Sequence, residues 1–482
     1  VKESKYVIMT SNLKGNTIQA ATEIHTGELI LDKEIPFVWN AVFESGTNFH
    51  KYCDECGIVS QTHLLNGLLQ TSLEPHISAA RQNTTMETIK YLLHTESKIN
   101  QEELIHCDRN CGVFYCSAKC KQLSEVKGHS WLCKSLQTLS NSSQQLRDID
   151  TKGHFGLAAK VYARIASQCL VNKQKDTSIN LSLDAVSVAD SLLNEYQSND
   201  FTRTMHAYRT GMFEIDPSMF ANIIFPAYFS SQLATPLELT KEIFLQSGVT
   251  LWGDDAQQCS AEFLSSEIFS EQFYSMLVGI FVTNCLSVHV ASPLDKVWAD
   301  ARHLNHSKNA EESAKMQDVV SFMQHCFDLQ QRDGGMEQSD EEERPVTDRF
   351  LGMSGSGLFP VFSKTNHSCV CNTSMHGSDR VTVSMYATEA IAQGAEITNC
   401  YIHHHSLNGG GGTFRSRLGV EIGDDIDESI DPAELSLGRS DQHQLNAKLT
   451  KKQRYRALRQ YIFECDCPLC ASQEIDSGEE SD

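Results

Sequence analysis

The sequence predicts an α+β fold closed by pairing between its two ends, and three observations carry that expectation. Strand-like segments lie near the N-terminus and again in the last third of the chain, a long helical region separates them, and clustered cysteines interrupt both parts. Strands, then helices, then strands again build one core only when distant strands meet.

The elements follow in order. From Tyr6 to Val42 short strands alternate with turns, and the Gly27 turn leads into Leu29-Ile30-Leu31. Cys53 to Cys133 is a cysteine-rich stretch, split by a polar, partly helical insertion from Gln61 to Glu103. Leu157, Val161, Ile165 and Cys169 recur at helical spacing, so a helical region begins there and is expected to run irregularly to about Val290. Residues 331–347 read as an acidic, glycine-containing linker. Beyond it, Arg380–Met385 alternates like a half-buried strand, and Glu396–Tyr401 reads as another. His403–Asn446 holds the Gly409–Gly412 run and reads as a flexible insertion. A helix over about Lys448–Phe463 then delivers the chain to three closely spaced cysteines.

Composition narrows the function. The 482 residues are 40% hydrophobic and 21% charged, as in globular proteins. No run of eighteen apolar residues offers a membrane span, and no charged-then-apolar leader opens the sequence at Val1. With 62 acidic against 40 basic side chains the formal charge is −22, which argues against direct nucleic-acid binding and suits attraction to Lys/Arg-rich protein segments. Much of the excess sits in Asp340–Glu343 and Glu474–Asp482, runs that solvate themselves. The odd count of 17 cysteines, in close pairs with a histidine nearby, fits metal ligation better than disulfides. A cytoplasmic or nuclear protein is therefore expected.

Spacing carries the metal argument. Cys53-x2-Cys56, Cys107-x3-Cys111, Cys116-x3-Cys120 and His129-x3-Cys133 supply eight ligands in four pairs, enough for two closed tetrahedral zinc sites. Cys465-x-Cys467-x2-Cys470 supplies three thiolates, one short of a third site, so a fourth ligand must come from elsewhere in the fold.

Two motif sets resemble one family. Phe114-Tyr115-Cys116-Ser117-Ala118-Lys119-Cys120 and His129-Ser130-Trp131-Leu132-Cys133 resemble the MYND finger. Asn366-His367-Ser368-Cys369, Gly394-x-Glu396-Ile397-x3-Tyr401, Tyr461-x-Phe463-x-Cys465 and Gly355-x-Gly357-Leu358-Phe359 resemble the SET domain. Together, in this order, they are similar to the SET and MYND domain lysine methyltransferase family.

The resemblance implies interleaved zinc ligation, with Cys53, Cys56, Cys116 and Cys120 on one ion and Cys107, Cys111, His129 and Cys133 on the other. His106 stands as an alternative to Cys107, because that pair is spaced x3 where the family has x2. Cys369 is implied as the partner of Cys465, Cys467 and Cys470, making about three zinc ions per chain. Further implied are S-adenosylmethionine contacts from Lys14, Gly15, Asn16, Asn284, Asn366, His367, Tyr401 and Phe463, catalysis by Tyr401, and a lysine channel walled by Tyr461 and Phe463. Methyl transfer to lysine needs alignment, a dry channel and a neutral amine, whereas lysine in water titrates near ~10.4. Tyrosine hydroxyls and backbone carbonyls suit that work. Two departures stand out: Thr17 replaces the second glycine of a Gly-x-Gly turn, and Cys371 replaces a proline.

The implied architecture is a SET-type β fold split by a MYND finger and a helical insert. Its parts are an N-terminal SET segment at 1–50, the finger at 51–135 (insertion about 61–105), the helical insert at 150–265 and the C-terminal SET segment at 266–402. The flexible insertion at 403–446, a zinc-bound post-SET segment at 447–471 and an acidic tail at 472–482 complete it. The implied activity is methylation of histone tails, ribosomal proteins or other proteins with an exposed lysine, with peptide partners at the finger. The rival expectation is a catalytically weak scaffold that binds peptides through the finger.

Overall fold

The computed structural model describes residues 4–11, 15–41, 52–60, 79–96, 104–133, 154–196, 201, 216–290, 293–304, 310–333, 353–378, 380–402, 446, 449–458, 461 and 463–473. Lys14, most of the linker at 331–347, nearly all of the insertion at 403–446, and the acidic tail beyond residue 473 lie outside the described residues.

Closure between the chain ends is what the strands show. β1 (Tyr6–Ser11) and β2 (Gly15–Ala20) form an antiparallel pair. β3 (Leu29–Glu34) pairs with β11 (Val383–Ala387), which pairs in turn with β10 (Thr373–Gly377). β4 (Val38–Ala41) adds to β8 (Met353–Leu358), whose other edge carries β7 (Cys285–Val290). β9 (Asn366–His367) runs parallel to β12 (Thr398–Asn399). Ile18, Leu31, Trp39, Val288, Phe359, Met385 and Ile397 share the core that these short sheets enclose.

Three expected elements shift. Cys285–Val290 is a strand and not the tail of the helical region, because β8 offers it a full antiparallel partner. The strand expected at Arg380–Met385 begins only at Val383, where pairing to both β10 and β3 starts. The one expected at Glu396–Tyr401 narrows to Thr398–Asn399, since Gln19 and Ile18 take up residues 396 and 397.

The helices form two groups. α1 (Ala79–Glu96), α9 (Pro293–Leu304) and α10 (Ala310–Asp333) pack on one another and on the sheet core. Leu294, Val297, Trp298 and Ala301 bury one stripe of α9, and Val319, Phe322 and Met323 face it from α10. The second group is α3 (His154–Lys175), α4 (Leu181–Leu193), α5 (Phe225–Gln232), α6 (Ala234–Leu251), α7 (Ala256–Leu264) and α8 (Glu271–Asn284). Leu157, Val161, Ile165 and Cys169 of α3 are all fully buried, as their spacing requires. Asn180 caps α4 by accepting from the Leu183 amide. Among the described residues, no helix is long and apolar enough to cross a membrane.

The finger is built into the second group. Its hairpin of β5 (Ile105–His106) and β6 (Phe114–Tyr115) precedes α2 (Ala118–Val126), which Ser117 caps by accepting from the Cys120 amide. Trp131 stacks on Phe244 and meets Trp252 edge-on, and its carbonyl accepts from Ser247 Oγ at 2.6 Å. Gly128, at φ +102°, lies so close to α3 that a Cβ there would meet the Ala163 carbonyl oxygen at 2.4 Å.

Gly128→Ala should therefore carry two penalties, a left-handed backbone and a clash with main chain. Together they amount to about 3 kcal/mol. Gly27→Ala, at φ +78° with open space around it, should carry the first alone, about 1–2 kcal/mol. Urea unfolding of the two variants checks the difference; equal losses would mean that the finger does not dock tightly on α3.

Candidate active site and metal centres

The fold gathers the Cys/His pairs into three clusters. Cys53, Cys56, Cys116 and Cys120 form one, Cys107, Cys111, His129 and Cys133 the second, and Cys369, Cys465, Cys467 and Cys470 the third. Within each, all ligand atoms lie within 4.8 Å of one another.

Separations fit a tetrahedral ion. Zn–S bonds of ~2.3 Å imply sulfur–sulfur edges of ~3.8 Å. Cys56–Cys116 is 3.6 Å, Cys116–Cys120 3.5 Å, Cys107–Cys133 3.5 Å, Cys369–Cys465 3.9 Å and Cys369–Cys470 3.7 Å. His129 presents Nε2 to Cys107 and Cys111 at 3.3 and 3.5 Å. The choice between Cys107 and His106 falls to Cys107 in this geometry, for His106 is exposed and its ring lies against Phe114.

Electrostatics point the same way. The Cys53 and Cys369 thiols are pushed up as each donates to a neighbouring sulfur and is buried. Cys116 and Cys465, which accept those bonds, are pulled down. Four thiolates do not coexist in so small a volume unless a cation joins them. The three clusters can hold zinc ions.

Beside the third cluster lies an aromatic group. The Tyr401 ring sits 4.8 Å from that of Tyr461, 6.4 Å from Phe463 and 5.4 Å from His367 (centroid distances). Parallel pairing of β9 with β12 sets Asn366 opposite Thr398 and His367 opposite Asn399, which brings Tyr401 back to the histidine. The Tyr401 amide donates to His367 Nδ1 at 3.0 Å, and the Tyr401 hydroxyl donates to the Thr365 carbonyl. Burial, reinforced by Tyr461 and Glu396, pushes the Tyr401 phenol up, so the hydroxyl stays protonated.

His367 reaches both ways. Because its Nδ1 accepts, the neutral ring carries its proton on Nε2, which faces Cys369 Sγ at 3.3 Å. One imidazole thus joins the tyrosine backbone to a metal-cluster sulfur.

The remaining expected contacts are more dispersed. Asn366 donates to Glu396 at 2.8 Å. Asn16 donates to the Glu195 carbonyl, and the Glu195 carboxylate pairs at 2.9 Å with the buried Lys364. This bridge ties the Gly15–Asn16 turn to the segment leading into Asn366. Asn284 ends α8, its amide nitrogen turned back to the Ile280 carbonyl and the Thr283 hydroxyl. Thr17 is buried and pairs with Met9 in an ordinary extended strand. Among the described residues of that turn the left-handed one is Gly15, at φ +67°, so the backbone does not call for glycine at position 17. Cys371 is buried, with its sulfur 3.6 Å from the Thr373 carbonyl.

Several residues of the site escaped sequence reasoning. Asn372 braces the 396–398 segment through its side-chain amide, Asn446 donates to the Cys369 carbonyl, and the fully buried Arg454 donates to Cys470 Sγ. No local pattern marks them, since each acts on a partner distant in sequence or on a cluster closed by one.

No protein-family model matches the chain. Over 98% of its length it is 22% identical to protein-lysine N-trimethyltransferase SMYD5 of Mus musculus, covering 87% of that protein. The SMYD5 of Homo sapiens is 22% identical over 82% of this chain and 78% of its own length. A shorter match, 31% identical over 128 residues, covers 11% of protein-lysine N-methyltransferase SMYD4 of Pongo abelii. The chain is thus similar over nearly its whole length to SMYD5, a protein-lysine N-trimethyltransferase, and over a shorter stretch to SMYD4.

Proposed function

We propose that this chain is an S-adenosylmethionine-dependent protein-lysine N-methyltransferase. On this reading a SET-type fold is divided by a MYND finger at about 51–135 and a helical insert at 150–265, with a zinc-bound post-SET segment at 447–471. The observation that carries the reading is the Tyr401 hydroxyl, held on the Thr365 carbonyl inside a group of His367, Tyr461 and Phe463. Such a site is aromatic-walled and short of charge, as deprotonation and alignment of a lysine amine require.

The residues fit the cofactor and the target. When bound, S-adenosylmethionine supplies an electrophilic methyl on a sulfonium. Asn16, Asn284, Asn366 and the backbone beside His367 would hold it, together with Lys14 and Gly15. Ser363 Oγ is buried without a hydrogen-bond partner among the described residues, one turn before Asn366, and a bound ligand would satisfy it. Tyr461 and Phe463 exclude water from the lysine stem. Tyr401, protonated, orders the Thr365 carbonyl and the amine path rather than serving as a base. The proton leaves the lysine before transfer, to solvent.

Substrates in this reading are proteins with an exposed lysine, histone tails or ribosomal proteins among them, in the cytoplasm or nucleus. Peptide partners would approach the finger from outside, because its Trp131 is buried against α6 and α7. Calorimetric titration of the zinc-loaded protein with S-adenosylmethionine should show saturable one-to-one binding. An absence of binding heat and of thermal stabilisation would leave the scaffold reading in its place.

A further inference from the structure

We infer that Arg454 is the counter-ion and positioning residue of the third metal centre, and that it pins both flanks of the segment carrying Tyr461 and Phe463. The inference rests on reading the Cys369/Cys465/Cys467/Cys470 cluster as a metal centre and does not depend on methyl transfer.

Arg454 lies on α11 (Lys451–Leu458), a helix shorter than the expected Lys448–Phe463, and its side chain is 0% exposed. Its Nε donates to Cys470 Sγ at 3.4 Å, Nη1 to the Asn446 carbonyl at 3.1 Å and to that of Leu449, and Nη2 to Gln473 Oε1 at 2.8 Å. Of these acceptors only the sulfur can carry charge. No carboxylate is among them. A guanidinium does not shed its proton in proteins, and burying it without a negative partner is strongly unfavourable. Four thiolates around one divalent cation carry a net charge of −2, which supplies that partner. The buried guanidinium and the anionic metal centre therefore balance one another across the Arg454–Cys470 contact.

The same side chain is also a staple. Its acceptors at 446 and 449 precede Tyr461, and those at 470 and 473 follow Phe463. Asn446 in turn donates to the Cys369 carbonyl at 2.7 Å. Across the cluster His367 Nε2 faces Cys369, so donors reach its sulfurs from two sides, one leading to Tyr401 and one to the chain end. Among the described residues, the sulfurs of the other two clusters take no bond from a guanidinium.

Arg454→Met keeps the volume and removes the charge; Arg454→Lys keeps the charge and removes the fork. The readouts are zinc displaced into a colorimetric chelator and the sulfur-to-metal charge-transfer band after reconstitution with Co(II). Arg454→Met should release one of about three zinc ions at a chelator concentration roughly 10–100-fold below that needed for wild type, the finger's two staying in place. Its charge-transfer band should move to lower energy, because the thiolate has lost a donor. Arg454→Lys should fall between wild type and the methionine variant. Wild-type retention with an unshifted band in Arg454→Met would overturn the inference. Should that variant not fold, Arg454→Lys decides: retention of the third zinc supports the charge argument, and its loss alongside an intact two-zinc finger refutes it. Because these readouts need no S-adenosylmethionine, a failure of the methyltransferase reading would not disturb them.

Discussion

Tyr401→Phe should lower methyl transfer about 100- to 1,000-fold with zinc content unchanged. The ring stays in its place among Tyr461, Phe463 and His367, and the backbone amide still reaches His367 Nδ1. Only the donor to the Thr365 carbonyl goes. A carbonyl left short of one partner costs about 1–2 kcal/mol, so the variant should fold. The loss should appear in kcat more than in KM, since the hydroxyl orders the reacting amine rather than gripping the peptide. The pH profile adds a check. Burial raises the folded-state phenol above its ordinary 10.0, so the stability it contributes is complete below pH 10 and is lost as pH rises beyond it. Tyr401 should therefore not titrate in an activity profile between pH 6 and 9, and the alkaline limb of stability should flatten in the phenylalanine variant. Activity within about threefold of wild type, in single-turnover assays, would remove Tyr401 from the chemistry.

What could be read from the sequence was what spacing states locally. Cys53-x2-Cys56 and Cys465-x-Cys467-x2-Cys470 announce metal ligands because such short loops bring sulfurs together in almost any fold. Which pairs share an ion, and that Cys369 closes the third cluster, came with the family resemblance; the structure brings together those same side chains. Closure of the fold was also legible from strands at both chain ends with helices between them, and β3 does meet β11 as β4 meets β8. Arg454 and Asn446 were not, because their acceptors sit on loops that meet only after the chain has closed. The bridge of Asn16, Glu195 and Lys364 spans three remote segments and leaves no periodic trace. α9 differs, for Leu294, Val297, Trp298 and Ala301 show a helical period that was there to be read. The two-residue β12 failed in the opposite direction: six residues of strand-like pattern were divided between two partners.

Stripping the metals should have the largest effect on the fold. A structural zinc in a small finger supplies about 10–16 kcal/mol, comparable to the whole stability of an ordinary domain. The finger's own apolar contribution is small, because its separate cluster is mostly cysteines with Ile58 and Tyr115, while Trp131 belongs to the core of α3, α6 and α7. After treatment with a strong chelator, amides in 52–60 and 104–133 should lose hydrogen-exchange protection, while α3, with its fully buried stripe, should keep most of its own. The C-terminal segment should open at the same time. α12 (Pro468–Ala471) has only one turn, and beside the sulfur cluster Arg454, Lys451 and Tyr455 hold its surroundings. Single substitutions separate the two events. Cys56→Ser should cost one finger ion and loosen the packing around Trp131 while Tyr461 stays against Tyr401. Cys467→Ser should leave the finger's two ions in place, free Tyr461 and Phe463, and abolish transfer even with S-adenosylmethionine in excess. Zinc counting and exchange on the two variants read these outcomes directly. Protection that survives the chelator unchanged would mean that packing alone holds these segments, and the aromatic site would then owe nothing to the sulfurs beside it.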